Sequence, residues 1–211
     1  MYSVRYRNER KGRPREFDRE QALLEAMGVF WALGYEGAAL TNLQEAMGGI
    51  SAPSFYAAFG SKEALFREAV ELYSKTLGAP MIRELNRAPT VRAAIEALLG
   101  NAVNAFTKPG LPRGCMLVMA AANVTPGNRN VRRYVRGLRA RRTKAIQQRL
   151  QRGMAEGELP SNLDRSAVAN FYAIVIDGLA IRARDGASRK ALTAAANCAM
   201  AAWDKTVMLK V

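Results

Sequence analysis

A chain of 211 residues that is 49% hydrophobic and 24% charged can bury a real core, which excludes a disordered polymer. Its 32 Lys and Arg against 18 Asp and Glu leave a net charge of +14, a field that attracts polyanions, nucleic acid before anionic lipid. Histidine is absent, and Cys115 and Cys198 stand far apart in apolar surroundings without metal-ligand spacing, so neither a metal site nor a cofactor is expected.

Residues 1–15 carry Arg5, Arg7, Arg10, Lys11, Arg13 and Arg15 around a Gly12–Pro14 break, and read as a flexible basic arm. The stretch has no apolar segment and is not a secretory signal. Asp18 suits a helix N-cap, and Ala22, Leu23, Ala26, Val29, Phe30 and Leu33 recur at helical spacing up to Gly34. Thr41 is expected to cap a short helix over 42–47, broken by Gly48 and Gly49. Ser51 then caps 52–58, with Pro53 in the first turn where proline is tolerated, and Gly60 ends it. Ser61 caps a fourth helix, with Glu63 in its first turn, that runs to about residue 77.

Gly78, Pro80 and Ala88–Pro89 punctuate the chain. Helices are expected over 90–107, 114–123, 128–154, 164–184 and 188–207, separated by KPGLP, TPGN, GELPSNLD and DGAS. Period-two alternation is missing, so the fold class is all-α. The expected organisation is the arm, a helix-turn-helix domain over 16–62, and a helical domain over 63–211. No apolar run reaches the roughly 18–20 residues needed to cross a bilayer, and the free cysteines suit a reducing compartment, so a cytoplasmic protein is expected.

The helices at 18–34, 41–47 and 52–58 make a compact trihelical unit whose second and third members join by a tight glycine turn. In that layout the last helix enters the major groove. Ala26, Phe30, Tyr35, Leu43, Met47, Ile50, Phe55 and Phe59 would form its core. Ser51, Ala52, Pro53, Ser54 and Ala57 would face outward, small enough for close approach to base edges. Ala52 and Ala57 can touch a thymine methyl and Ser54 a base or phosphate. Thr41, Tyr56 and Lys62 can grip phosphates, and the arm, with Arg13 and Arg15, can track phosphates or the minor groove.

The segment ISAPSFYAAFGSKEALF at 50–66 resembles the signature of TetR-type transcriptional regulators, and GRPREFD at 12–18 is similar to that family's entry into its first helix. By this resemblance Ser51, Ala52, Ser54, Tyr56 and Lys62 map onto DNA-contact positions. The turn at 47–50 carries one residue more than the family's usual single-glycine turn. The resemblance implies a homodimer with an N-terminal DNA-binding domain and a C-terminal helical domain that binds a small effector. Double-stranded operator DNA would be the partner and repression the usual outcome.

In the C-terminal half, residues 129–152 are rich in arginine without a single acid. They read as a long amphipathic helix with a basic solvated side, the alternative being that some of the arginines line an anion site or add long-range attraction for DNA. An effector pocket is expected among the central helices, with Phe106, Met116, Met119, Tyr134, Phe171, Tyr172 and Val175 as candidate lining residues. Asn123, Asn170 or Asp177 would supply polar contacts. An aromatic or Met at helical spacing is more often plain core than a ligand contact. The last two helices, rich in Ala and Val, are expected to form a four-helix bundle with a second copy. Two alternatives compete with a regulator: a nonspecific DNA-packaging protein, and an all-α enzyme. The enzyme reading lacks a nucleophile elbow, a phosphate loop or a metal cluster.

Overall fold

A computed structural model describes residues 18–120 and 123–208. The basic arm, with Arg13 and Arg15, lies outside these residues. Among the described residues there are eleven α-helices and no strand.

Helix α1 (Arg19–Gly37) begins where Asp18 predicts: its carboxylate accepts from the Glu20 and Gln21 amides at 3.0 and 3.1 Å. Helical angles lapse at Gly34, and the Tyr35 amide donates to the Ala120 carbonyl at 2.8 Å. Helix α2 (Leu40–Ala46) starts one residue before Thr41, so Thr41 is not its cap. Asn42 serves the helix start instead, its Oδ1 accepting from the Ala39 amide at 3.0 Å. Helix α3 (Ala52–Phe59) and helix α4 (Lys62–Tyr73) are capped by Ser51 and Ser61 as the spacing predicts.

The region read as punctuation after α4 is helical. A π-helical turn (Ser74–Gly78) carries α4 into α5 (Ala79–Arg87). The Ser74 and Thr76 hydroxyls donate to the Val70 and Leu72 carbonyls at 2.7 and 2.8 Å, which helps satisfy the wide turn. Pro80 sits in the first turn of α5 and has no amide to donate to the preceding turn, which is where the helix widens. Helix α6 (Val91–Phe106) follows as expected. The helix expected over 114–123 shrinks to one turn, α7 (Met116–Met119). Its entry is pressed onto the next-but-one helix: a Cβ at Gly114, whose φ is +84°, would lie 2.7 Å from the Ala180 carbonyl oxygen. Helices α8 (Arg129–Ala155) and α9 (Arg165–Arg184) match their sequence spans, whereas the helix expected over 188–207 is split at Ala202 into α10 (Arg189–Ala201) and α11 (Trp203–Met208).

By length and composition α9 is apolar enough to cross a membrane, against the expectation that no segment would be. It is a packed helix of the bundle, with Val168, Tyr172, Ile176, Leu179 and Ala183 in the core.

Helix α4 belongs to both halves of the molecule. Its Phe66 ring meets Phe30 and Tyr35 edge-on, each at 5.1 Å, and its Tyr73 ring meets Trp31 at 5.0 Å. Three ties fasten α1 and α4 to the C-terminal half. The Arg184 guanidinium donates to the Trp31 and Ala32 carbonyls at 2.7 and 2.6 Å. One Glu36 carboxylate oxygen accepts from the Thr125 amide, the Thr125 hydroxyl and the Asn128 side chain at 2.7–2.9 Å. On α4, the Arg67 guanidinium lies 4.6 Å from the Tyr134 ring centre.

Candidate nucleic-acid interface

Helix α3 is two turns long and could not stand alone in water. Phe55 and Phe59, one turn apart, anchor it at 0% and 4% exposure. Each buried phenylalanine contributes about 2–3 kcal/mol. Arg19 fixes the far end. Its guanidinium stacks 4.6 Å from the Phe59 ring centre, donates to the Ala58 carbonyl at 3.3 Å and grips both Glu68 oxygens at 2.8 Å. With Phe55 and Phe59 inward, α3 turns Pro53, Ser54, Tyr56 and Ala57 to solvent, and Ala52 is half-buried. Tyr56 is 52% exposed, an unusual position for a large aromatic ring. Ser51 and Ser54 bond one another, Oγ to Oγ at 2.9 Å, while Ser51 also accepts from the Ser54 amide.

The turn before α3 uses two left-handed glycines in succession, Gly48 at φ +89° and Gly49 at φ +78°. Both amides fold back onto α2, Gly48 to the Glu45 carbonyl and Gly49 to the Gln44 carbonyl, at 3.2 and 2.9 Å. Gln44 closes the turn from the other side by donating to the Ile50 carbonyl at 3.0 Å. Thr41 is exposed in the first turn of α2. Lys62 is half-buried, its ammonium 4.6 Å from the Tyr35 ring centre. Burial draws its pKa below the usual lysine value, with Glu36 pulling the other way. Ser51, Pro53, Ser54 and Tyr56 are thus exposed at or on α3, Thr41 is exposed on α2, and Lys62 is held against Tyr35 of α1.

A cavity of about 480 Å³ lies under the π-helical turn, between α5 and α8. Met81, Ile82, Phe106, Leu117 and Leu138 line it, with Tyr73, Cys115 and Arg142 among its polar groups. The Tyr73 hydroxyl donates to Cys115 Sγ at 3.4 Å, and burial pushes the phenol well above its ordinary pKa, so it stays a neutral donor. Of the residues expected to line a pocket, Phe106 alone reaches this cavity. Met116 and Tyr172 are buried in the core, Tyr172 against Trp203, and Met119 and Val175 are partly buried. Tyr134 lies beneath Arg67, and Phe171 faces outward. The cavity walls come from α4, the π turn, α5, α6, α7 and α8, which only packing brings together, so Tyr73, Met81 and Ile82 were not legible as lining residues.

A family described as "Tetracyclin repressor-like, C-terminal domain" matches residues 91–199. Across nearly its full length the chain is 33% identical to the HTH-type transcriptional repressor ComR of Escherichia coli (strain K12), covering 93% of this chain and 94% of that protein. The chain belongs to the TetR family. Among solved structures, it is similar to a cysteine mutant of the TetR family transcriptional regulator CifR complexed with 26-bp double-strand operator DNA. That likeness has a TM-score of 0.86 at 44% identity, over 91% of this chain and 100% of the other. A TetR transcriptional regulator from Chloroflexus aurantiacus J-10-FL shares the fold with a TM-score of 0.79 at 23% identity.

In this TetR-family chain the arginine-rich helix α8 is not simply a solvated basic face. Arg132, Arg133 and Arg136 are exposed, but others are spent inside the molecule. Arg142 pairs with Asp177 at 2.5 Å. Arg149 is buried against Glu158 and the Ala88 carbonyl, and Arg152 donates to the Asn86 carbonyl. These arginines stitch α8 to its neighbours, and no local sequence signal separates them from the exposed ones.

Proposed function

We propose that this protein is a homodimeric transcriptional repressor that reads operator DNA through α2 and α3 and releases it when a small molecule occupies the cavity beneath the π turn. The carrying observation is the exposed side of α3: two buried phenylalanines turn a small-residue face and one large ring, Tyr56, to solvent. Such a face fits the major groove, with Ala52, Ser54 and Ala57 near base edges and Thr41, Tyr56 and Lys62 toward phosphates. The CifR and ComR likenesses support repression at an operator. Arg13 and Arg15 extend the contact along the backbone. The protein would act where the DNA is, in the cytoplasm.

The dimer reading is supported by α9, where Phe171, Ile174 and Ile181 remain 37%, 69% and 46% exposed. With Gly178 they form one stripe at helical spacing, flanked on α10 by exposed Ala191, Ala194, Ala195 and Cys198. Small residues permit close helix approach, as a four-helix bundle needs. Such a dimer would read half-sites about 34–36 Å apart on a pseudo-palindrome.

The test is a mobility-shift titration against genomic fragments. One fragment is expected to bind at least about a thousandfold more tightly than bulk DNA. Tyr56→Ala should weaken binding to that fragment and to bulk DNA alike, by about tenfold, because a phosphate contact carries no sequence information. Uniform affinity for all fragments would leave only the packaging alternative.

A further inference from the structure

We infer that the cavity between α5 and α8 takes a small organic anion: an apolar body with a carboxylate-type head held by Arg142. This deepens the effector reading above, and depends on it only for the consequence at the operator.

Three observations carry the chemistry. The walls are apolar where Met81, Ile82, Phe106, Leu117 and Leu138 meet, and a volume near 480 Å³ suits a medium-sized ligand. The charged lining is one-signed. Arg83, Arg141 and Arg142 all face the cavity, and no carboxylate does among the described residues. Arg83 and Arg141 are exposed and so stand at the mouth, where they attract anions and repel cations.

The third observation is the state of Arg142 itself. One terminal nitrogen is committed to Asp177 at 2.5 Å, but its Nε is buried and has no acceptor. A buried guanidinium donor without an acceptor is unfavourable, and an anionic oxygen entering the cavity supplies one. The planar fork can hold a second carboxylate in a way an ammonium could not. Arg149 also has unpartnered nitrogens, but it does not line the cavity.

The position of this arginine gives the site leverage. Asp177 lies on α9, beside exposed Gly178 in the apolar stripe. A ligand carboxylate competes with Asp177 for the guanidinium and loosens the tie between α8 and α9. Meanwhile the ligand body rests on Tyr73, Ser74 and Gly78, the end of the helix whose other end begins beside α3.

The probes are decanoate, decanamide and decyltrimethylammonium, titrated calorimetrically into the full chain. Decanoate is expected to bind at least tenfold more tightly than either of the others, and to gain about fourfold in affinity per added methylene over octanoate. Arg142→Gln should abolish the preference for the acid. Asp177→Asn removes the competing carboxylate and should tighten decanoate severalfold, which keeps the test alive if the first variant fails to fold. Equal affinity for acid and amide, or a preference unmoved in the folded variants, overturns the inference. Operator affinity is measured in parallel. Decanoate that binds with this preference but leaves operator affinity unchanged supports the anion site and refutes the effector reading. A neutral compound that releases the operator while decanoate fails to bind overturns the anion class and leaves the effector reading standing.

Discussion

At the scale of single residues, the turn between α2 and α3 shows why glycine appears twice. Gly48 and Gly49 both hold positive φ, and a Cβ at either would meet open space. The constraint is thus backbone conformation and not crowding. An L side chain forced into the left-handed region costs about 1–2 kcal/mol. Gly49→Ala should therefore lower Tm by roughly 2–8 °C, read by thermal denaturation. It should also weaken operator binding beyond that, because the turn sets the rotation of α3. An unchanged Tm and unchanged affinity would show that the turn tolerates a different path. Asn42 and Arg19 are the residues whose work was least legible. Asn42 takes the capping role expected of Thr41 because it reaches back to the Ala39 amide. Arg19 acts on residues 39 and 49 positions away, which no local pattern reveals.

At the scale of elements, the joint between the two halves rests on α1, α4 and the start of α8. Glu36 is the titratable part of this joint. Hydrogen bonds from Asn128 and then Thr125 hold its carboxyl below the usual value of 4.5. A carboxyl whose folded pKa is depressed contributes stability above its unfolded pKa and loses it as pH falls through the folded value. Thermal stability of the native chain should therefore fall on acidification from about pH 5 toward pH 3 more steeply than that of Glu36→Gln. Parallel melting curves for the two proteins would assign the joint to something other than Glu36. Elements also show where periodicity misleads. Helix α9 is apolar nearly all round, so spacing alone could not divide its side chains between core and outer stripe. Phe171 and Tyr172 were grouped together as pocket residues, yet one faces solvent and the other is fully buried.

At the scale of the whole molecule, an exposed apolar stripe on a chain of net charge +14 calls for a partner surface. Ile174, the most exposed of the large hydrophobics, is the point to test. Ile174→Asp should convert the proposed dimer to a monomer in sedimentation equilibrium. It should also reduce operator affinity by about a hundredfold or more, since two half-sites would no longer be bound as one unit. A variant that stays dimeric would place the interface elsewhere.

Local interactions explain what the sequence determined unaided. Helix caps such as Asp18, Ser51 and Ser61, the glycine turn and the Phe55–Phe59 pair act within a few residues. The all-α class and the helix-turn-helix were therefore readable from spacing. The cavity, the shared helix α4 and the internal arginines of α8 depend on pairs such as Arg142–Asp177 and Arg184–Trp31. Those contacts exist only after distant helices pack, so tertiary structure alone decided which arginine is buried, which aromatic lines the cavity and which apolar face stays open.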